Sequence, residues 1–146
     1  MHTIEQLRDE RGQGLAHLIR RAQDRPLESI PWHGAGPLTR WLMAGADVHP
    51  GGDTHIAVHR VCATERPRAY CDVHVHRSPE FNLLLPITEL TYDITLGDEH
   101  FVVEAPASIH IPAGTPHSAN VRSGTGFFVA IVLGIQDYER SFAPPG

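Results

Sequence analysis

Two histidines one residue apart, His74 and His76, are followed closely by Glu80 and, beyond the loop Pro112-Ala113-Gly114-Thr115-Pro116, by His117. On a strand, residues two apart point to the same face. The imidazoles of His74 and His76 therefore project into one space, while Val73 and Val75 face the other way. Arg77-Ser78-Pro79 reads as a turn, and a hairpin there returns Glu80 to the two histidines. Imidazole nitrogen with one carboxylate oxygen suits iron, manganese, nickel, cobalt or zinc, whereas calcium prefers all-oxygen shells. Four protein ligands on a six-coordinate ion leave two positions open. Tetrahedral zinc would be filled by the same four unless Glu80 stayed out of the shell. An isolated His-x-His is more often a plain polar strand face. The longer run His-x-His-x3-Glu, followed by Pro-x-Gly-x2-His, is far more specific.

The same alternation places Tyr70 and Asp72 beside the two histidines. Asp72 is either a catalytic group, orienting a ligand imidazole or acting as a base, or a solvated strand start. Glu80, Asn82 and Leu84 share the next face, and a buried Asn82 needs hydrogen-bond partners, which makes it a candidate for touching substrate. Phe81, Leu83 and Leu85 read as core or dimer surface. His55 and His59 share a face with Ala57 and Val61. They are acid–base candidates if that face is interior and surface groups if it is not. Arg60 would bind a carboxylate if turned inward. Tyr92, on a face with Leu90 and Ile94, is a core position more often than a catalytic one. It stands with Asn82, Tyr70 and Arg60 as a substrate-binding candidate. His110 lies opposite Ile109 and Ile111, toward pocket or solvent. His2, His17, His33, His49 and His100 have no patterned neighbours.

These side chains need a scaffold, and the pattern supplies short strands. Period-two stretches run over 55–62, 69–76, 80–85, 89–96, 100–104, 108–111, 117–122 and 126–133, with a short strand around 38–43. Gly97-Asp98 and Ser123-Gly124-Thr125 mark turns. Before them, Thr3-Ile4-Glu5-Gln6 fits a capping box, and Ile4, Leu7, Leu15, Leu18 and Ile19 recur at helical spacing. One N-terminal helix, weakened by Gly12 and Gly14, is expected from Thr3 to Gln23. Residues 26–53 are rich in Pro and Gly. The end, Ala143-Pro144-Pro145-Gly146, reads as disordered. Many short strands with Gly and Pro turns, and no alternation with helices, argue for an all-β sandwich or barrel.

At 146 residues the chain suits one domain, of ordinary apolar and charged content. No apolar run approaches a bilayer span, and Met1 to Gln6 does not read as a secretion signal. Cys62 and Cys71 are too few for a disulfide framework and are expected to be free thiols, although they could face each other across a hairpin. The expected location is cytoplasmic. The net charge of −5, with no dense basic cluster, argues against nucleic acid as a partner. The chain has no lysine, which excludes Schiff-base chemistry, a pyridoxal-phosphate anchor and a phosphate-loop lysine.

His74-Val75-His76-Arg77-Ser78-Pro79-Glu80 resembles the first motif of the cupin superfamily, and Pro112-Ala113-Gly114-Thr115-Pro116-His117 resembles the second. Arg68 and Pro106 stand where those motifs usually open with glycine, and the closing asparagine comes one residue early, as Asn120. The resemblance implies a double-stranded β-helix, the cupin or jelly-roll barrel, over 38–135, with an N-terminal helix and arm over 1–37 and a tail over 136–146. It implies one divalent metal ion on His74, His76, Glu80 and His117, with Fe(II) first and Zn, Mn, Ni or Co as alternatives. The activity it implies first is an Fe(II)-type dioxygenase of a small polar metabolite chelated to the metal. A non-oxidative isomerase, cyclase or lyase and a non-catalytic sensing barrel remain alternatives. The expected partners are that small molecule and a second copy in a homodimer, with no membrane.

Overall fold

The computed structural model describes residues 14–142. Within them run seven strands: β1 (Gln23–Asp24), β2 (Leu38–Ala44), β3 (Thr54–Ala63), β4 (Glu80–Leu96), β5 (Glu99–Glu104), β6 (Ala107–Ile111) and β7 (His117–Leu133). Short 3-10 turns occupy Ala16–Leu18, Leu27–Ser29 and Tyr138–Arg140. Among the described residues, no helix is long and apolar enough to cross a membrane.

All pairings are antiparallel, in the order β1-β2-β3-β7-β4-β5, with β6 also on β4. The two long strands serve both sides of the barrel. The first part of β4, Glu80 to Pro86, pairs with the end of β7 and with β6. Its second part, Leu90 to Leu96, pairs with the start of β7 and with β5. The register shifts between Pro86 and Leu90, where β4 turns from one sheet to the other. Glycine is required opposite that bend. A Cβ on Gly126 would sit 2.2 Å from the Leu85 carbonyl oxygen, and one on Gly124, at φ +102°, 1.8 Å from that of Glu89.

Burial follows the alternation of side chains. On β3, His55, Ala57, His59, Val61 and Ala63 point inward, while Arg60 and Cys62 are exposed. On β4, Glu80, Asn82, Leu84, Leu90, Tyr92 and Ile94 point inward. Together with Ile109, Ile111, Val121 and Phe128 they form one core. The outward face of the same strands is also apolar, with Phe81 and Leu85 exposed and Leu83 half-buried.

Several sequence expectations change here. The strands expected over 80–85 and 89–96 are one bent strand of 17 residues, as are those over 117–122 and 126–133. The strand expected over 69–76 is irregular. Its backbone groups bond instead to Trp32, Gly34 and His117 through Asp72 N–H to Trp32 O (2.8 Å), Gly34 N–H to Tyr70 O (2.6 Å) and the His74–His117 bridge. The expected helix lies partly outside the described residues. Where it is described, the chain makes only the Ala16–Leu18 turn and then extends to pair Gln23 with Leu42. Leu18 and Ile19, both of the anticipated apolar stripe, are 60% and 53% exposed, so burial offers no reason for a helix there. Cys62 pairs across to Thr125 and not to Cys71, and both thiols are free. The segment 136–142 is no loose tail, since Tyr138 is buried in the barrel; 143–146 lie outside the described residues.

Candidate metal centre

The His74–His117 bridge joins the two motif segments directly, with backbone bonds of 3.0 and 2.9 Å in each direction. Gly114 N–H adds a bond to the His76 carbonyl at 2.9 Å, from a residue at φ +78° that favours glycine. Strand β4 then carries Glu80 inward beside them. His74, Glu80 and His117 are buried.

The imidazoles are oriented by their own backbone. Nδ1 of His74 lies 2.7 Å from the Asp72 carbonyl, Nδ1 of His76 2.7 Å from that of Ser78, and Nδ1 of His117 2.8 Å from that of Thr115. A carbonyl only accepts, so each Nδ1 carries the hydrogen and each neutral ring turns a bare Nε2 lone pair the other way. The candidate ligand nitrogens of these three rings lie within 4.8 Å of one another. Glu80 Oε1 is 2.9 Å from Nε2 of both His76 and His117. The second carboxylate oxygen accepts from the Asn82 amide at 2.8 Å. Although it is close to Glu80, His117 Nε2 is buried without a partner in hydrogen-bonding geometry among the described residues. A 2.9 Å contact between an imidazole nitrogen and a carboxylate needs a proton or a metal cation between them, and this donor set fits a divalent transition ion.

Without an ion, Glu80 and the rings beside it stabilise each other by sharing protons. Burial alone would raise the Glu80 carboxyl, but the imidazoles of His117 and His76 hold it well below the usual range. Burial opposes protonation of His117, and the Glu80 carboxylate outweighs it and raises that ring. Burial pushes His74 down to about 4.

The centre opens on a cavity of about 50 Å³ inside the barrel. Of the catalytic candidates, His55 and His59 line this cavity, on the inward face of β3. Both are neutral: burial and then the charge of Arg40 push His55 to about 4 and His59 to about 3. Asp72 is different. Its side chain is exposed and only its carbonyl serves the site, because the irregular 69–76 backbone breaks the expected alternation. Of the substrate candidates, Asn82, Tyr70 and Tyr92 line the cavity. Arg60 points to solvent from the opposite face of β3.

Sequence reasoning missed Arg40, His33 and Tyr138, which also line the cavity. Arg40 was findable: on β2 it alternates inward with Leu42, and its side chain is 2% exposed. His33 had no pattern to reveal it, yet its ring sits 4.8 Å from that of His74. Tyr138 packs its ring 5.3 Å from His76 and 4.9 Å from His55, and Phe142 lies 5.9 Å from His74. The C-terminal turn thus covers the site.

Solved structures share this barrel fold. KdgF from Halomonas sp. superposes with a TM-score of 0.55 at 12% identity, over 81% of this chain and 89% of that one. The polyketide cyclase RemF from Streptomyces resistomycificus gives 0.53 at 17%, over 86% and 87%. An RmlC-like cupin from Shewanella frigidimarina NCIMB 400 gives 0.51 at 14%, over 80% and 96%. No family model matches the sequence, and no curated protein matches it. The likeness is one of fold, an antiparallel barrel shared with these structures.

Proposed function

We propose that this chain is a metal-dependent enzyme acting on a small polar molecule, with an Fe(II)-type dioxygenase as the leading reading. The observation that carries the metal is the convergence of imidazole Nε2 atoms and Glu80 Oε1, each imidazole fixed by an Nδ1 bond to a backbone carbonyl. His74, His76, Glu80 and His117 would hold the ion. When bound, it would supply Lewis acidity to a chelated substrate and, if iron, redox exchange with dioxygen. The chain's own part is positional. Asn82 orients Glu80 through its amide bond. Tyr138 and Phe142 cover the histidines and exclude water.

A second reading is non-oxidative, a lyase, isomerase or cyclase. His55 and His59 favour it, because neutral imidazoles inside the cavity can accept a proton from a bound molecule and return it. That one fold neighbour is a cyclase supports the same reading.

The test is elemental analysis of the purified protein beside His76→Ala and Glu80→Gln. About one equivalent of a divalent transition metal is expected, falling at least tenfold in either variant. Equal metal content in all three proteins, or none after reconstitution, would overturn the metal centre. Oxygen uptake that depends on the ion and on a small acid decides for the dioxygenase, and turnover without oxygen decides for the second reading.

A further inference from the structure

The charged side chains that line the cavity, Arg40 and Glu80, are both answered. Arg40 belongs to a network in which Arg25, Arg40 and Arg140 face Glu139, Asp47 and Asp137, so that positive and negative charges balance. Glu80 is met by His76, His117 and the Asn82 amide. The hydroxyls of Tyr70 and Tyr92 bond to each other, and the Tyr70 oxygen also accepts from the Val121 amide at 3.0 Å. None of these groups calls for a ligand.

The hydrogen-bonding capacity left open is uncharged. His59 is buried on the inward face of β3, where it pairs with Phe128, which pairs in turn with Leu84. That register sets it two strands across and four residues along from Glu80, with Cα atoms roughly 16 Å apart, too far to join the metal centre. Its ring stacks on Phe128 at 5.1 Å, and Phe128 stacks on Tyr92 at 5.2 Å. The stack sets the plane of the imidazole and leaves its edge to the cavity. No group among the described residues hydrogen-bonds to that edge. The neighbouring imidazoles differ: His55 Nε2 accepts from Arg40 at 3.3 Å, and His33 Nδ1 donates to the Pro31 carbonyl at 2.9 Å.

Two more groups are open. Asn82 pairs with Ala130, and Ala130 with Ala57, in the row between Glu80 and His59. A carboxylate only accepts, so the Asn82 nitrogen faces Glu80 and Oδ1 turns away, an acceptor with no donor among the described residues. The Tyr138 hydroxyl is buried at the cavity without a hydrogen-bond partner among the described residues, and burial keeps it protonated. Each such group costs free energy while it stays unpaired. Three of them surround a space that Ala57, Ala119 and Ala130 leave empty, and a bound polar molecule satisfies all three.

We infer that the cavity takes a small molecule whose end away from the metal centre is an uncharged hydroxyl held by the His59 imidazole, with Asn82 Oδ1 and the Tyr138 hydroxyl meeting polar atoms between. A hydroxyl both donates and accepts, so it fits either tautomer of His59. The inference deepens the proposed function: the near end of the ligand rests on the metal centre, and the far end does not. A volume of about 50 Å³ holds roughly three to five water-sized groups, at 10–15 Å³ for each. That suits a short hydroxy ketone or diol and excludes a sugar or an aromatic ring.

The probes are hydroxyacetone and butanone, which differ only in a terminal hydroxyl against a methyl group. Each is titrated into zinc-loaded and metal-free protein, with metal content measured in every sample and the imidazole nitrogens followed by long-range proton–nitrogen NMR. Hydroxyacetone is expected to bind about fivefold tighter or more, and to shift the His59 nitrogen resonances where butanone does not. His59→Leu is expected to bring the two ligands to parity at unchanged metal content. His59→Phe keeps a ring on Phe128 but removes both nitrogens, and with the same expectation it serves where His59→Leu does not fold. Equal affinity for the two ligands, binding of neither, His59 resonances unmoved by bound hydroxyacetone, or a hydroxyl preference that survives in either folded variant would overturn the inference. Should no zinc bind, the metal reading has failed, and the ratio of the two ligands in metal-free protein still decides for or against the hydroxyl site.

Discussion

Asn120 bonds to three backbone groups of a segment fifty residues away in the chain. Its side-chain oxygen accepts from the amides of Tyr70 (2.8 Å) and Cys71 (2.9 Å), and its amide donates to the Cys71 carbonyl (3.0 Å). These bonds replace a strand ladder in the irregular stretch that presents His74. Asn120→Leu should therefore loosen a ligand it never touches. The expected loss is about 2–3 kcal/mol of unfolding free energy in urea, from three bonds of about 1 kcal/mol each. Metal affinity, measured by chelator competition, should fall about tenfold or more. Unchanged affinity in a destabilised variant would mean that the Tyr70–Cys71 segment does not position His74. The nearness of His74, His76 and Glu80 was legible because their spacing encloses a turn, and His117 was added from the motif-like loop before it. The work of Asn120 was not: read along the sequence, it is only a motif residue one place early, and its partners emerge when residues distant in sequence meet. Asp72 failed for the same reason, since alternation holds only where a ladder enforces it.

At the scale of elements, the two long strands decide the architecture. Gly124 was read as a turn residue between two strands and Gly126 as the start of the second, which is what their composition signals. In the fold they lie within one strand, and the requirement for glycine comes from the β4 backbone crossing them. A close approach of this kind leaves no trace in local periodicity. Gly126→Ala tests it directly. A methyl group 2.2 Å from the Leu85 carbonyl must displace backbone, at a cost of about 1–3 kcal/mol in chemical denaturation. A variant as stable as the parent would show that β4 can move aside there. Alternation puts Arg40 inward once β2 is accepted as a strand, a step the sequence reading did not take, and the inward face of β3 was one of two stated options. The expected N-terminal helix had periodicity, but in its described part Leu18 and Ile19 are exposed. At Gln23 the edge of β2 offered backbone bonds in its place.

For the whole molecule, the interior holds several buried titratable side chains, among them His55, His59, His74, Glu80 and His117. His55 and His59 are folded in the neutral form, with values near 4 and 3 against an ordinary 6.5. Below about pH 6.5 the unfolded chain takes up protons there and the folded one does not. Stability contributed by these residues is therefore complete above that pH and is lost as pH falls toward the folded values. The slope is about 1.4 kcal/mol per pH unit for each residue, or roughly 2 kcal/mol each by pH 5. In metal-free protein the raised value of His117 acts oppositely, adding stability below pH 6.5 that is lost as pH rises through its folded value. Metal-loaded protein should thus unfold at lower urea at pH 5 than at pH 7.5, and His59→Gln should recover about half of the difference. Greater stability at pH 5 would contradict the neutral assignment.

The ion pair between Arg40 and Glu139 spans 99 positions of sequence. It fastens β2 to the Tyr138–Arg140 turn, and with it the Tyr138 and Phe142 rings that roof the histidines. Such a contact is made late, after the long loop between its ends has been closed at an entropic cost. It also opens early, because the turn is tied by a few bonds and no ladder. Amide exchange should therefore be faster at Arg140 and Ser141 than in β4 or β7, and slower once the cavity is filled. Entry and exit of a ligand would then be timed by the breathing of this last turn, independently of how tightly the site holds what it has admitted.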